Sequence, residues 1–110
     1  MADMIFPNVE RDDAERAIYG ALRAIRALGD WTDEELIRAA KTFIDADLHY
    51  MSQAGVDRGE VYNEEKAYKE IRAALKVSSK RPGRQVAELV EYAMEAWEAY
   101  LDAAGAIEWD

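Results

Sequence analysis

The sequence predicts an all-α protein, a compact antiparallel bundle of about four helices that forms a single domain over residues 1–110. Along four segments, apolar residues recur at intervals of three and four, the pattern of helices that each bury one face. Proline occurs only at Pro7 and Pro82, so the interiors of these segments contain no strong helix breaker. No segment shows the sustained two-residue alternation of a β-strand, so we predict no strands.

The first two helices are predicted over about residues 12–28 and 33–54. The second begins with a capping box, in which Thr32 caps the helix and Glu35 reaches back to the backbone N–H of Thr32. Gly55 is expected to end it. The residues predicted to face inward from this helix are Leu36, Ile37, Ala40, Phe43, Ile44, Leu48 and Met51.

The third helix is predicted over about residues 64–76, with Asn63 as its N-cap. A polar loop containing Pro82 follows it. The fourth helix is predicted over about residues 83–103. Short loops between amphipathic helices favour antiparallel packing of neighbours, which is why a bundle is the expected architecture.

Composition excludes several classes of function. Cysteine is absent, so the chain has no disulfide, thiol nucleophile or thiolate metal site. The first ten residues lack the features of a secretory signal, and no apolar stretch approaches the ~20 residues of a membrane span. We therefore expect a cytoplasmic protein that does not enter a membrane. A formal net charge of −9 also argues against direct binding to nucleic acid or to anionic lipid.

The charges are distributed in blocks. Residues 1–62 contain 13 acids and 7 bases, residues 63–84 contain 3 acids and 7 bases, and residues 85–110 contain 7 acids and no base. Five of these last acids recur about once per turn of the fourth helix and fall within an arc of roughly 80°. They are Glu88, Glu91, Glu95, Glu98 and Asp102.

These five carboxylates, here called the acidic row, are the predicted partner-binding residues. Like charges three and four residues apart each destabilise a helix by about 0.2–0.5 kcal/mol, so the row has a local cost. One interpretation is that a basic site on another protein supplies the missing positive charge. The alternative is structural: the row is simply solvated, or bases on the third helix flank it, namely Lys66, Lys69, Arg72 and Lys76.

In size, charge and the acidic face of the segment "ELVEYAMEAWEAYLD", the chain resembles small acidic helical proteins of phages and mobile elements. Some of those proteins block restriction enzymes or CRISPR complexes by imitating DNA. The resemblance is one of general character and implies an inhibitor that presents carboxylates to a surface that normally accepts phosphates.

Other candidate sites have less support. Asp45, Asp47 and His49 are spaced by two, so on a helix they point in different directions and do not converge on a metal. Asp47 falls inside the apolar arc of the second helix. A buried acid needs a hydrogen-bond partner, so we predict that Asp47 is buried and bonded to an arginine of helix one or to a Tyr or Trp donor. His49 is expected on the surface.

We therefore predict a protein that is not an enzyme, uses no cofactor or metal, and acts by binding a protein with a basic surface as an inhibitor or adaptor. A self-associating structural protein is the first alternative, with the apolar ends "MIFP" and "AIEWD" packing across a homodimer. The second is a Mg²⁺-dependent all-α nucleotide pyrophosphohydrolase, in which Glu34, Glu35 and the helix-four acids would hold the metal. A phosphate-binding glycine loop is missing from the sequence.

Overall fold

Four α-helices form the bundle, as the sequence predicts. In the computed structural model they are α1 (Arg11–Arg23), α2 (Asp33–Ala54), α3 (Glu64–Ser78) and α4 (Gly83–Ala103). The described residues are 4–6, 9–55, 59, 61 and 63–103. Outside this set lie the apolar C-terminal segment at 106–110, Pro7 and the side chains of residues 4–6. The predicted packing of the two chain ends across a homodimer therefore falls outside the described residues.

Local hydrogen bonds explain where the helices begin and end. The Glu35 amide donates to Thr32 Oγ1 (3.1 Å) and the Thr32 amide donates to Glu35 Oε1 (2.9 Å), which is the predicted capping box. Asn63 Oδ1 accepts from the Lys66 amide (3.1 Å) and caps α3. At the end of α2, Gly55 adopts a left-handed conformation with φ of 76°, which glycine tolerates without steric strain.

The predicted first helix is too long, because α1 ends at Arg23 instead of residue 28. Ile25 has extended backbone angles, and a short 3₁₀ turn follows at Arg26–Leu28. The Arg23 guanidinium bridges the break by donating to the carbonyl oxygens of Trp31 (2.9 Å) and Leu28 (3.2 Å). The bend allows both Leu28 and Trp31 to reach the core, where each is at most 5% exposed.

Contacts between helix ends establish the antiparallel arrangement. Tyr19, late in α1, donates to Asp33 at the start of α2 (3.0 Å). Tyr50, late in α2, accepts from the Asn63 amide just before α3 (3.1 Å). Tyr100, late in α4, donates to Asp13 near the start of α1 (2.7 Å), which closes the ring of four helices. In this ring α4 packs against α1 and α3.

A two-stranded antiparallel sheet, which the sequence pattern does not predict, precedes the bundle. Its strands are β1 (Met4–Phe6) and β2 (Val9–Glu10), with Met4 opposite Glu10 and Phe6 opposite Val9. Strands of three and two residues are too short for a two-residue periodicity to show in the sequence. The pair leads directly into α1.

One apolar core joins the inward faces of all four helices. Phe43 and Ile44 of α2, Ile71 of α3 and Leu89 of α4 are all fully buried. The expected inward position of Ile37 is wrong, because its side chain is 44% exposed at the edge of the apolar face. Within the described chain, no helix combines the length and the apolar character that crossing a lipid bilayer requires.

Candidate functional site

Helix α4 presents two different faces. Its inward face buries six side chains: Val86, Leu89, Val90, Ala93, Trp97 and Leu101. Its outward face carries the acidic row, in which Glu98 is half-buried and the other four carboxylates are exposed. In a helix with 3.6 residues per turn, residues three and four apart lie on the same face. The acids follow one another at these intervals, so they stay together on the outward face, apart from the buried side chains.

A buried hydrogen bond fixes the inward face. Trp97 Nε1 donates to Asp47 Oδ2 at 2.7 Å, and Asp47 is fully buried. Asp47 is thus buried and bonded to a tryptophan, as predicted. The Trp97 ring meets Phe43 edge to face at 6.4 Å and stacks on Tyr100 at 6.1 Å between centroids.

The Tyr100 hydroxyl extends this contact to α1 by donating to Asp13 Oδ2 at 2.7 Å. Burial, followed by the hydrogen bond to the Asp13 carboxylate, raises the pKa of Tyr100 to about 12, so the phenol keeps its proton at neutral pH. Through Trp97 and Tyr100, α4 is therefore held in place by polar contacts to both α2 and α1.

The acidic row lacks ion-pair partners among the described residues. Among residues 4–6, 9–55, 59, 61 and 63–103, no lysine or arginine forms an ion pair with any of its five carboxylates. Some acids elsewhere are paired, since three arginines bind five carboxylates of α1, α2 and the loop before α2, whereas exposed acids such as Asp12, Glu34 and Glu70 also have no ion pair with a described base. Arg11 pairs with Glu15 and Asp45, Arg23 with Asp33, and Arg81 with Asp30 and Glu35.

The bases of α3 are directed elsewhere. Lys66 and Lys69 line a groove between α2 and α3. The Lys76 Nζ donates to the backbone carbonyl of Arg81 at 3.1 Å, and the Arg72 guanidinium lies beside Gly83. The sequence left open whether these bases of α3 neutralise the acidic row. Among the described side chains, they form no ion pair with it.

Negative charge is instead reinforced where α3 meets α4. Glu64, in the first turn of α3, lies beside Glu98. Burial of the Glu98 carboxyl raises its pKa, and the hydrogen bond to Glu64 and the negative charges of Glu64 and Glu95 raise it further. Two carboxyl groups can hydrogen-bond only by sharing a proton, so this pair resists full ionisation. The fold thus places a sixth acidic side chain, Glu64, against the five of the row.

Glu35, proposed in the nucleotide hydrolase alternative as a metal ligand, already has two partners. Arg81 Nε and Nη2 donate to its two oxygens at 2.8 Å each, and the Thr32 amide donates to Oε1. The Arg81 hydrogen bonds, followed by the Thr32 amide, lower the pKa of Glu35 to about 2. The part of the chain that is described contains no group of three or more His, Asp or Glu side chains placed to hold a metal ion.

The "DADLH" residues are also dispersed. Asp45 is exposed and pairs with Arg11, Asp47 is buried against Trp97, and His49 is exposed, as expected for a surface histidine. Asp47 points away from Asp45 and His49 because it is two residues from each, whereas Asp45 and His49 are four residues apart and share the exposed face of α2.

Arg81 has a structural role that the sequence does not predict. Its guanidinium lies 4.3 Å from the centroid of the Trp31 ring, and its side chain is only 17% exposed. It also donates to the Asp30 carbonyl (2.8 Å) and to Gln85 Oε1 (3.0 Å). No local sequence signal identifies this cluster, because its partners lie up to 51 residues away in the chain.

Comparison with known proteins gives no match to a protein family, to a curated protein or to a solved structure. The interpretation of this surface therefore depends on its own geometry and charge.

Proposed function

We propose that this protein acts by binding another protein, with the acidic row of α4 facing a basic surface of that partner. In this role it is an inhibitor or adaptor of the cytoplasm, without catalytic activity of its own. A basic surface that accepts nucleic acid is the favoured kind of target, since regularly spaced carboxylates can occupy positions where phosphates bind.

The carrying observation is the contrast in pairing. Arginines pair with five acids of α1, α2 and the loop before α2, whereas not one of the five acids in the row has an ion pair with a described base. Repulsion along the row and between Glu98 and Glu64 opposes folding. A partner that supplies lysines or arginines would convert this unfavourable interaction into binding energy.

The spacing of the row also suits a DNA-like role. From Glu88 to Asp102 the helix rises about 21 Å, so one carboxylate occurs per about 5 Å. A single strand of duplex DNA carries one phosphate per about 3.4 Å of axis. The row therefore approaches the linear charge density of one strand, on a rigid support of similar length to half a helical turn of DNA.

A pull-down from cell lysate with a charge-reversed variant tests the proposal. The triple variant Glu91→Lys/Glu95→Lys/Glu98→Lys is expected to fold, since it relieves repulsion in the row, but to lose a partner that the wild type retains. The matched control Asp12→Lys/Glu34→Lys/Glu70→Lys makes the same change in net charge at exposed acids outside α4. It is expected to retain the partner.

The dependence of binding on salt concentration provides a second test. Binding that depends on the row weakens when the same pull-down is repeated at high salt, because charge interactions at exposed sites are screened. Equal capture by wild type and by the α4 variant, or equal loss with both triple variants, contradicts the proposal. The first result would place the partner interface on another surface of the protein. The second would show that binding depends only on the net charge of the protein.

A further inference from the structure

An open apolar groove runs beside the acidic row. It has a volume of about 640 Å³ and lies between the end of α1 and the second half of α4. Its apolar lining is Ala21, Ile25, Tyr92, Ala96 and Ala99. Its acidic edge is formed by Glu95, Glu98 and Asp102.

The groove arises from two features of the chain. First, α1 ends at Arg23, and the half-buried Ile25, which follows in extended backbone, contributes its side chain to the lining. Second, Ala96 and Ala99 leave room that a larger side chain would fill. Both features expose apolar surface directly against three carboxylates.

We propose that this groove receives the apolar face of a basic amphipathic helix from the partner protein. The inference rests on the proposed function and adds that the partner must bring apolar side chains together with its positive charges. Seating an amphipathic helix in a groove buries apolar surface, and lysines or arginines flanking that face would meet Glu95, Glu98 and Asp102. A purely phosphate-binding surface would leave the apolar lining uncovered.

Charge complementarity selects this occupant over a second copy of the chain. The described lining of the groove contains three carboxylates and neither lysine nor arginine. A symmetric dimer through this face would bring two acidic edges together, in a chain whose net charge is already −9. An acidic or uncharged helix would cover the apolar lining but leave the carboxylates without counter-charges.

Two synthetic peptides of the same composition provide a test. The first is a helix of about 18 residues, or five turns, with leucine on one face and lysine on the other. The second contains the same residues in an order that gives no apolar face. Fluorescence anisotropy of the labelled peptides at near-physiological salt is expected to show at least about tenfold tighter binding of the first peptide. In NMR spectra of the protein, the backbone amide chemical shifts of Ala21, Ala96 and Ala99 are expected to change when the first peptide is added.

Groove-filling variants locate the binding. Ala99→Leu, at an exposed position, and Ala96→Leu, at a half-buried one, are each expected to reduce the affinity for the amphipathic peptide by about tenfold, toward that of the reordered peptide. The matched control Ala73→Leu adds the same side chain at an exposed position of α3 and is expected to leave binding unchanged. If Ala96→Leu perturbs the fold, Ala99→Leu alone carries the comparison.

Two results overturn the groove assignment while leaving the proposed function intact. One is that the wild type binds both peptides with equal affinity, and the other is that Ala99→Leu binds the amphipathic peptide as tightly as the wild type does. Either result has this meaning provided that Glu91→Lys/Glu95→Lys/Glu98→Lys still abolishes peptide binding. Shifts at the groove that appear on concentrating the protein alone would assign it to a second copy instead. Undiminished binding of the amphipathic peptide to the charge-reversed variant would contradict both the groove assignment and the electrostatic role of α4.

Discussion

Trp97 of α4 and Asp47 of α2 form a buried pair in which the indole N–H donates to the carboxylate at 2.7 Å. The pair joins helices on opposite sides of the bundle, at a point where Asp47 is fully buried. Removing one member leaves a buried polar group without that partner, and an unsatisfied buried group is destabilising by about 1–3 kcal/mol or more when charged.

The first prediction concerns this pair. Asp47→Ala is expected to lower the free energy of unfolding by about 2–4 kcal/mol, because it removes the acceptor of the Trp97 N–H and leaves a void. Asp45→Ala is the control on the same helix, since its surface pair with Arg11 contributes about 0–1 kcal/mol. Urea unfolding measures both. Similar small losses from the two variants would show that the buried bond is not important for stability.

The second prediction concerns Arg81. Arg81→Lys retains the positive charge but cannot donate to both oxygens of Glu35 while lying over Trp31. We expect a loss of about 1–2 kcal/mol, seen by circular dichroism as a melting temperature lower by roughly 5–10 °C. The exposed neighbour Arg84 provides the control, and Arg84→Lys should melt with the wild type. If Arg81→Lys melts like the wild type, the positive charge at this position is sufficient, and the paired hydrogen bonds and the contact with Trp31 add no stability.

The third prediction is a dependence of stability on pH. The pKa of Glu35 is lowered to about 2 in the folded protein, from an ordinary value of 4.5. The unfolded chain therefore binds this proton more tightly, and the contribution of Glu35 to stability is present above pH 4.5 and is lost as the pH falls toward 2. Glu35→Gln is expected to lessen the decline in unfolding free energy between pH 5 and pH 2.

Glu34→Gln serves as the control for this measurement, because Glu34 occupies the same first turn of α2 but is exposed. Urea titrations at several pH values give the slope for each variant. If the two variants decline equally, the acid sensitivity of the protein does not depend on the contact between Glu35 and Arg81.

The fourth prediction separates stability from binding at Glu98. The pKa of this carboxyl is raised, so the folded protein binds its proton more tightly and its contribution to stability is greatest at acidic pH and lost as pH rises through the folded pKa. Glu98→Gln is therefore expected to stabilise the fold at pH 7 by about 0.5 kcal/mol and by less at low pH. The same variant should weaken partner binding.

Glu64→Gln relieves the same repulsion from the side of α3, so the double variant is expected to gain less stability than the sum of the single changes. Unfolding free energies of the four proteins form a double-mutant cycle. Strict additivity, or destabilisation by Glu98→Gln at pH 7, would show that the two carboxyls do not oppose each other.

Local patterns of the sequence predict much of the scaffold correctly. Thr32 with Glu35, Asn63 and Gly55 determine helix ends through contacts only a few residues apart, so their roles are visible in the sequence. The outward position of the acidic row follows in the same way, because helical periodicity fixes the direction of each side chain relative to the apolar face. Asp47 was likewise recognised from its place in an apolar arc.

Features that depend on distant partners could not be predicted. Arg81 reaches Glu35 across 46 positions, and nothing near it in the sequence distinguishes it from the exposed Arg84. The end of α1 at Arg23 is similar, because the apolar spacing continues to Leu28 while the backbone turns so that Leu28 and Trp31 enter the core. The groove beside α4 is lined in part by Ile25 of that turn and brings together residues of two distant segments, so it is not visible in the sequence either.

The anchoring of α4 has a consequence for how its outer face can evolve and bind. Trp97 bonded to Asp47 and Tyr100 bonded to Asp13 oppose rotation of the helix about its axis, so the carboxylates are preorganised before any encounter. Association with the proposed partner would then lose little backbone entropy, a loss that weakens binding by flexible segments. Because neither Trp97 nor Tyr100 belongs to the acidic row, substitutions in the row would change the specificity of the proposed binding without removing these anchors.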